Sequence, residues 1–138
     1  DEWINRRLKT IDIRKEFTDE LKRKGITESK DYATLTNILT EVWSGYTVKE
    51  YKNMKGLKKE NLRDNMSNME LVLNMLAETS STEVSKSKKK TGFEEAKDSV
   101  IKGGNIAKMA KEQLEKETKR KIVSNKRANN TKKLDQQR

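Results

Sequence analysis

The side chains of this sequence that could do chemistry are carboxylates and amines, because the chain contains no histidine and no cysteine. Disulfides, thiolate or imidazole metal sites, and every mechanism that pairs a nucleophile with a histidine are therefore excluded. The densest group of carboxylates is Glu94, Glu95 and Asp98. These residues fall in the first turns of a predicted helix, where acidic residues are favoured by the helix dipole, so we expect a structural role for them.

No other arrangement of residues is typical of a catalytic site. The sequence has neither a glycine-rich loop that would cradle a phosphate nor a nucleophile accompanied by a base. We therefore expect a protein that is not an enzyme, with no catalytic residue, no metal and no cofactor.

The positive charge is concentrated near the C-terminal end of the chain. The net charge is +10, yet residues 1–85 hold 15 basic and 15 acidic residues, so residues 86–138 carry the whole excess. Residues 86–90 contribute +4 and residues 119–138 contribute +7. Segregated charge of this kind binds nucleic-acid phosphates without reading their sequence. The candidate DNA contacts are Lys86, Lys88, Lys89, Lys90, Lys119, Arg120, Lys121, Lys126 and Arg127.

Residues 69–76, MELVLNML, predict the helix around which the fold is organised. Glu70 and Asn74 are the only polar residues in this stretch, and Glu78 continues the same row at a spacing of four. A helix that is apolar on its other sides is normally buried by its neighbours. A capping-box sequence precedes it, so we predict a central helix over residues 68–85.

The remaining elements are also predicted to be helical. Glycines and capping residues, among them Ser29 as the cap of the second helix, indicate further helices over residues 2–24, 29–45, 47–56, 58–66 and 93–118. The apolar residues of the first helix include Ile4, Leu8 and Ile11. Tyr32 and Trp43 lie on the apolar row of the second helix, which favours packing in the core over base stacking.

The predicted fold class is all-α, a compact bundle of about five to six helices around a buried central helix. A hydrophobic content of 31% supports one domain at most. We predict a helical domain over residues 1–118, with an exposed basic linker at residues 86–92. Residues 119–138 have almost no hydrophobic spacing and are predicted to form a flexible basic tail.

Two interpretations remain open for residues 47–66. Two short helices joined at Gly56 have the outline of a helix-turn-helix. The second helix would present side chains of the types that read base edges: Lys58, Lys59, Asn61, Arg63 and Asn65. The alternative is a compact helical corner, in which Leu57, Leu62 and Met66 pack under the central helix and Arg63 pairs with Asp64.

The last predicted helix carries an unbroken heptad seam. Its members, at alternating spacings of three and four, are Phe93, Ala96, Val100, Gly103, Ala107, Ala110 and Leu114. Because Gly103 lies on this seam, we predict one continuous helix that a partner helix can approach closely, the alternative being a helix that stops at Gly103. A continuous helix predicts that Gly103→Ala is nearly neutral and that Gly103→Leu destabilises.

Residues 56–66, GLKKENLRDNM, and residues 70–78, ELVLNMLAE, resemble the C-terminal region of bacterial DNA-damage-inducible protein D. Further matches, in order along most of the chain, are Asp31-Tyr32-Ala33, Thr82-Glu83-Val84-Ser85, Gly92-Phe93 and Gly103-Gly104-Asn105-Ile106-Ala107. The same region occurs in related phage and prophage proteins, behind a BRO-type N-terminal domain. The resemblance implies a role in the DNA-damage (SOS) response, including control of recombinase filaments.

Two functions are therefore expected. The first is a non-enzymatic DNA-damage-response module that acts at single- or double-stranded DNA, or at a recombinase–DNA filament, through its basic residues. The second is a protein-interaction or homodimerisation module whose seam helix binds another helix, while a BRO-type domain outside this sequence binds DNA. The sequence shows no membrane span and no secretory signal, so we expect a cytoplasmic protein without a membrane partner.

Overall fold

Five α-helices form between the start and stop signals of the sequence. The computed structural model describes residues 2–127, without the side chains of Trp3, Arg6, Arg7 and Leu8. The elements are α1 (Glu2–Arg23), α2 (Ser29–Ser44), α3 (Val48–Met54), a 3₁₀ helix (Arg63–Asn65), α4 (Asn68–Lys86) and α5 (Phe93–Thr118). There is no strand within residues 2–127, so the predicted all-α class and its number of helices are confirmed.

Local signals fix most helix ends. Gly45 ends α2 in the left-handed conformation, with φ of 85°. Thr47 and Ser67 open α3 and α4 with complete capping boxes, which satisfy backbone amides that lack a partner inside the helix. The predicted cap at Ser29 is wrong, because Glu28 occupies the N-cap position and no side chain caps α2.

The predicted central helix is confirmed as α4, and its neighbours run along it in both directions. α1 is parallel to α4, since Thr10 lies 3.3 Å from the Met75 sulfur and Ser85 lies 2.6 Å from Glu20 Oε2. α5 is antiparallel to α4 and crosses it near Ser81. The hydroxyl-rich residues 79–82 therefore lie at a close helix crossing.

The aromatic residues of α2 belong to the core. Trp43 is fully buried, and Tyr32 is half-buried with its hydroxyl donating to Ile26 O at 2.9 Å. Neither ring is a free stacking platform. On α1, by contrast, Ile4 and Ile11 remain about half exposed, although they belong to the apolar row that the sequence suggested.

α5 continues without a break through Gly103 and Gly104. An added Cβ at Gly103 would lie 2.6 Å from Ser81 Cα, and one at Gly104 would lie 2.8 Å from a Val42 methyl carbon. The seam therefore packs against α4 of the same chain at Gly103, and the neighbouring Gly104 packs against α2. Its members Ala96, Val100, Gly103 and Ala107 are buried, and Phe93, Ala110 and Leu114 are half-buried.

The continuous helix is confirmed, but the predicted neutrality of Gly103→Ala is wrong. The added methyl group would meet the Ser81 backbone, which cannot rotate away as a side chain could. We expect this substitution to lower the free energy of unfolding by about 1–3 kcal/mol. The gain in helix propensity, about 1 kcal/mol, offsets only part of the clash. Urea unfolding of the variant measures the difference.

Asn105→Ala, on the exposed face of the same helix, is the matched control and should be neutral or slightly stabilising. Adding Ser81→Gly to Gly103→Ala should not restore stability, because the backbone contact persists. A Gly103→Ala protein as stable as the parent would contradict the close crossing.

Candidate nucleic-acid interface

A row of polar side chains lies inside the core on α4. Glu70 and Glu78 are 0% exposed and Asn74 is 4% exposed. Buried polar and charged groups are tolerated only when they are hydrogen-bonded. Asn74 meets this requirement at its oxygen, which accepts a hydrogen bond from Trp43 Nε1 at 3.0 Å.

Glu70 is bound by groups from three parts of the chain. The hydroxyl of Tyr51 and the ammonium group of Lys55, at 2.7 Å, donate to it from α3 and the residue after α3. The backbone amide of Ser124 donates from beyond α5 at 3.3 Å. Burial, followed by the charge of Glu70 and the hydrogen bond to it, raises the pKa of Tyr51 far above its ordinary value.

The same cluster holds the chain that follows α5. Lys55 Nζ also donates to the carbonyl oxygens of Ser124, at 2.8 Å, and of Lys126. Val123 is buried beside them. The beginning of the predicted basic tail is thus fixed to the domain, and we call residues 121–127 the docked segment. Residues 128–138 lie outside the described residues.

The docked segment borders the loop between α3 and α4. Arg127 Nη2 lies 3.4 Å from Glu60 Oε2, and Arg127 Nε lies 3.4 Å from Asn65 Oδ1. The loop, the docked segment and the two residues that precede the docked segment carry exposed cations, which we call the basic end: Lys58, Lys59, Lys119, Arg120, Lys121 and Lys126. No ion pair joins these cations to another side chain in the part of the chain that the structure describes.

The helix-turn-helix interpretation is wrong. Residues 57–62 form a loop, and the only helical turn between this loop and α4 is the 3₁₀ helix. Asn65 is buried and donates to Asn61 O at 2.8 Å, while Arg63 is bound to Glu78. Of the predicted base-reading residues, only Lys58, Lys59 and Asn61 are exposed.

The burial expected for the alternative corner is confirmed, because Leu57, Leu62 and Met66 are buried. The predicted helix over residues 58–66 is wrong, since the corner is a loop that ends in one 3₁₀ turn. The expected pairing within the corner is different, however. Arg63 forms its ion pair with Glu78 of α4 rather than with Asp64.

The basic linker, residues 86–92, lies at the other end of α5. α5 has 26 residues and therefore spans about 39 Å. The candidate DNA contacts thus form two separate groups, and the linker does not join the basic end.

Contacts within the domain hold the backbone of the linker and pair some of its lysines with acidic residues. The buried Lys24 donates to the carbonyl oxygens of Lys88 and Lys90, the latter at 3.3 Å. Lys88 forms an ion pair with Asp98, which raises the pKa of Lys88 and lowers the pKa of Asp98. Lys86 lies 3.9 Å from a Glu83 oxygen. Lys89 and Lys90 are exposed.

Asp98 also pairs with Lys102 at 3.1 Å, so this member of the acidic cluster serves charge pairing. No group of acidic side chains within residues 2–127 is arranged to hold a metal ion.

Glu78 forms a second buried ionic cluster, which the sequence reading did not identify. Arg14 Nη1 of α1 and Arg63 Nη1 donate to it at 3.0 and 2.8 Å. The spacing of Glu78 from Glu70 was the available signal, but the sequence did not indicate the partners. A cavity of about 440 Å³ opens beside this cluster, between α1, α2, α3 and the corner. Lys52 and Asn74 are among the residues that line it.

Lys55→Met tests whether the buried ion pair fixes the docked segment. The substitution leaves Glu70 buried without its cation, and breaking such a pair costs about 3–5 kcal/mol of folding free energy. The carbonyls of Ser124 and Lys126 also lose their donor. We expect a lower free energy of unfolding in urea and faster tryptic cleavage within residues 119–127.

Lys49→Met, on the exposed face of α3, should change neither quantity. Unaltered stability together with unaltered cleavage in Lys55→Met would show that the cluster does not hold this segment.

Tyr51 makes stability depend on alkaline pH. The pKa of Tyr51 is raised in the folded protein above its unfolded value of about 10. Its contribution to the free energy of unfolding is therefore complete below about pH 10. Above that pH the tyrosine ionises in the unfolded chain but not in the folded one, so this contribution is lost as the pH rises. Tyr51→Phe should lower stability at about pH 8 by about 1.5–3 kcal/mol, through loss of a bond to a charged group. As the pH rises to about 11, the free energy of unfolding of Tyr51→Phe should fall less than that of the parent.

Urea unfolding across this pH range measures both effects, with Tyr46→Phe as the control at an exposed tyrosine. A decline in Tyr51→Phe parallel to that of the parent would argue against a protonated, buried Tyr51.

No helix within residues 2–127 is both long enough and apolar enough to cross a membrane. Comparison with known families matches residues 4–128 to the family described as the DinD C-terminal domain. Searches of curated proteins and of solved structures returned no match to this chain. The matched range contains nearly all of α1, the other helices and the docked segment. The chain therefore belongs to the DinD C-terminal domain family, a family of DNA-damage-inducible proteins.

Proposed function

We propose that this domain is a non-enzymatic DNA-damage-response module that contacts the phosphates of DNA, free or within a recombinase filament, through its basic end. The observation that carries the proposal is the meeting of two basic segments that are distant in sequence. The ion pair between Arg127 and Glu60 joins residues 58–59 to residues 119–127.

The charge of the basic end is available to a ligand. Its cations are exposed and form no ion pair with the described residues, unlike Lys86 and Lys88 of the linker. Each phosphate that such a cation neutralises releases counterions, so the affinity falls as salt rises. Because residues 57–62 and 121–127 contain no helix that could enter a groove, the contacts favour the backbone over base edges.

The basic linker supports a weaker, second contact. Lys89 and Lys90 are exposed there, about the length of α5 from the basic end. A single strand or a filament long enough to follow α5 would meet both groups.

Interaction with another protein, or with a second copy of the chain, is the alternative function. The seam cannot provide it, because α4 and α2 already cover Gly103 and Gly104. The outer face of α5 offers a different surface, where Ile106 and Met109 are exposed. In this alternative the domain serves a BRO-type phage or prophage regulator in the cytoplasm, and another domain binds DNA.

Charge-neutralising substitutions test the basic end as a composite surface. Lys58→Gln with Lys59→Gln, and separately Lys119→Gln with Lys121→Gln, should each weaken DNA binding. Each variant should also flatten the dependence of log affinity on log salt, by about 0.7 per lost contact for single strands and about 0.9 for duplex DNA. Fluorescence anisotropy of labelled oligonucleotides at several salt concentrations measures both quantities.

Lys9→Gln with Lys49→Gln removes the same charge from exposed sites elsewhere and is the matched control. If only the Lys119→Gln and Lys121→Gln variant loses affinity, Lys58 and Lys59 of the loop do not belong to the surface that contacts DNA. If the control lowers affinity as much as both test variants, a specific basic end is refuted.

A further inference from the structure

The cavity beside Glu78 has polar groups without partners and apolar walls. It has a volume of about 440 Å³, within the range of small-molecule sites. Leu39 and Val48 form part of its wall, and Asn37 is an exposed residue at its lining. Such a combination suits a flat, partly apolar ligand that also carries hydrogen-bonding edges.

Asn74 places two amide donors at this cavity. Trp43 Nε1 can only donate, so the atom that faces it must be the Asn74 carboxamide oxygen, which fixes the orientation of the amide. The two N–H donors on Asn74 Nδ2 have no acceptor among residues 2–127. Because Asn74 lines the cavity and its nitrogen is not among the buried atoms without a partner, this nitrogen can donate to water or to a ligand that enters the cavity.

Lys52 adds an uncompensated positive charge. Its ammonium group forms neither an ion pair nor a hydrogen bond with any residue the structure describes. Arg14 and Arg63 share the carboxylate of Glu78, and Asp64 is the other acidic residue in the lining. Three cations therefore face two carboxylates, which favours an anionic ligand.

We propose that this cavity binds one nucleotide, with its phosphate against Lys52 and Arg14 and an acceptor on the edge of its base against the amide of Asn74. The inference rests on the proposed function where the nucleotide belongs to DNA. The same chemistry is offered by a free mononucleotide, and the experiment separates the two sources.

The position of the cavity suits a nucleotide of a single strand. Its wall includes Asn61 and Leu62, which belong to the loop that carries Lys58 and Lys59 of the basic end. The cavity therefore borders the loop that contributes to the basic end, and the proposed strand would run from these cations to the cavity. A base can enter only when it is unpaired, so the cavity favours single strands over duplex DNA.

Two variants of the full chain test the site, each with a control. Lys52→Gln removes the unpaired cation, and Lys49→Gln removes a cation of α3 outside the cavity. Asn37→Trp fills the cavity from its exposed lining, and Asn37→Ala changes the same position without filling it. Calorimetric titration with dAMP, dTMP and inorganic phosphate, and anisotropy with single-stranded and duplex oligonucleotides, give the affinities.

Lys52→Gln should weaken mononucleotide and single-strand binding about tenfold, the loss expected for one charge-assisted hydrogen bond. Asn37→Trp should abolish mononucleotide binding, while both controls and all duplex affinities stay unchanged. Single-strand binding that is sensitive to these variants, without binding of free mononucleotides, assigns the site to DNA.

The inference is overturned if neither variant changes any affinity, or if inorganic phosphate binds as tightly as the nucleotides. In that event, loss of DNA affinity in the basic-end variants would leave the proposed function intact. Conversely, mononucleotide binding that responds to Lys52→Gln in a protein without DNA affinity would support the cavity as a free-nucleotide site and refute the proposed function.

Discussion

The carboxylates of Glu70 and Glu78 are fully buried on α4, and the arrangement of the other elements depends on their compensation. A buried charge without a partner is far more costly than a paired one, so each carboxylate requires cations in fixed places. Glu78 fixes α1 and the corner through Arg14 and Arg63. Glu70 fixes the docked segment and the end of α3 through Lys55.

Close packing of small residues complements these ionic contacts. With a hydrophobic content of 31%, the chain cannot fill a wide space between its helices with large side chains. Gly103 and Gly104 instead let the backbones of α4 and α2 approach α5 directly. Close approach of this kind gives many van der Waals contacts, which offset the backbone entropy that glycine loses in a helix.

The basic end is a consequence of the Glu70 cluster. Lys55 is buried because it neutralises Glu70, and its remaining donors hold the carbonyls of Ser124 and Lys126. The cations of residues 119–127 are thereby held at the loop that carries Lys58 and Lys59. A core interaction thus determines which surface charges lie side by side, and that grouping carries the proposed contact with DNA phosphates.

The sequence by itself determined the elements that local rules control. The capping boxes at Thr47 and Ser67 and the apolar faces of α2 and α4 predicted these helices correctly, because each signal acts within one or two turns. The seam also predicted the continuous α5, since its spacing matches the helical period. The C-terminal concentration of charge was equally visible, because net charge depends on composition alone.

Only the tertiary structure decided which residues meet. Arg63 had a plausible partner in Asp64, yet it binds Glu78, fifteen positions along the chain. The clash expected at Gly103→Ala depends on Ser81 backbone atoms of another helix, which no spacing within α5 could reveal. The beginning of the predicted tail, residues 121–127, and the supposed recognition helix were misread for the same reason. Ion pairs between distant residues outweigh the local preferences of short segments, and a linear pattern contains no information about those partners.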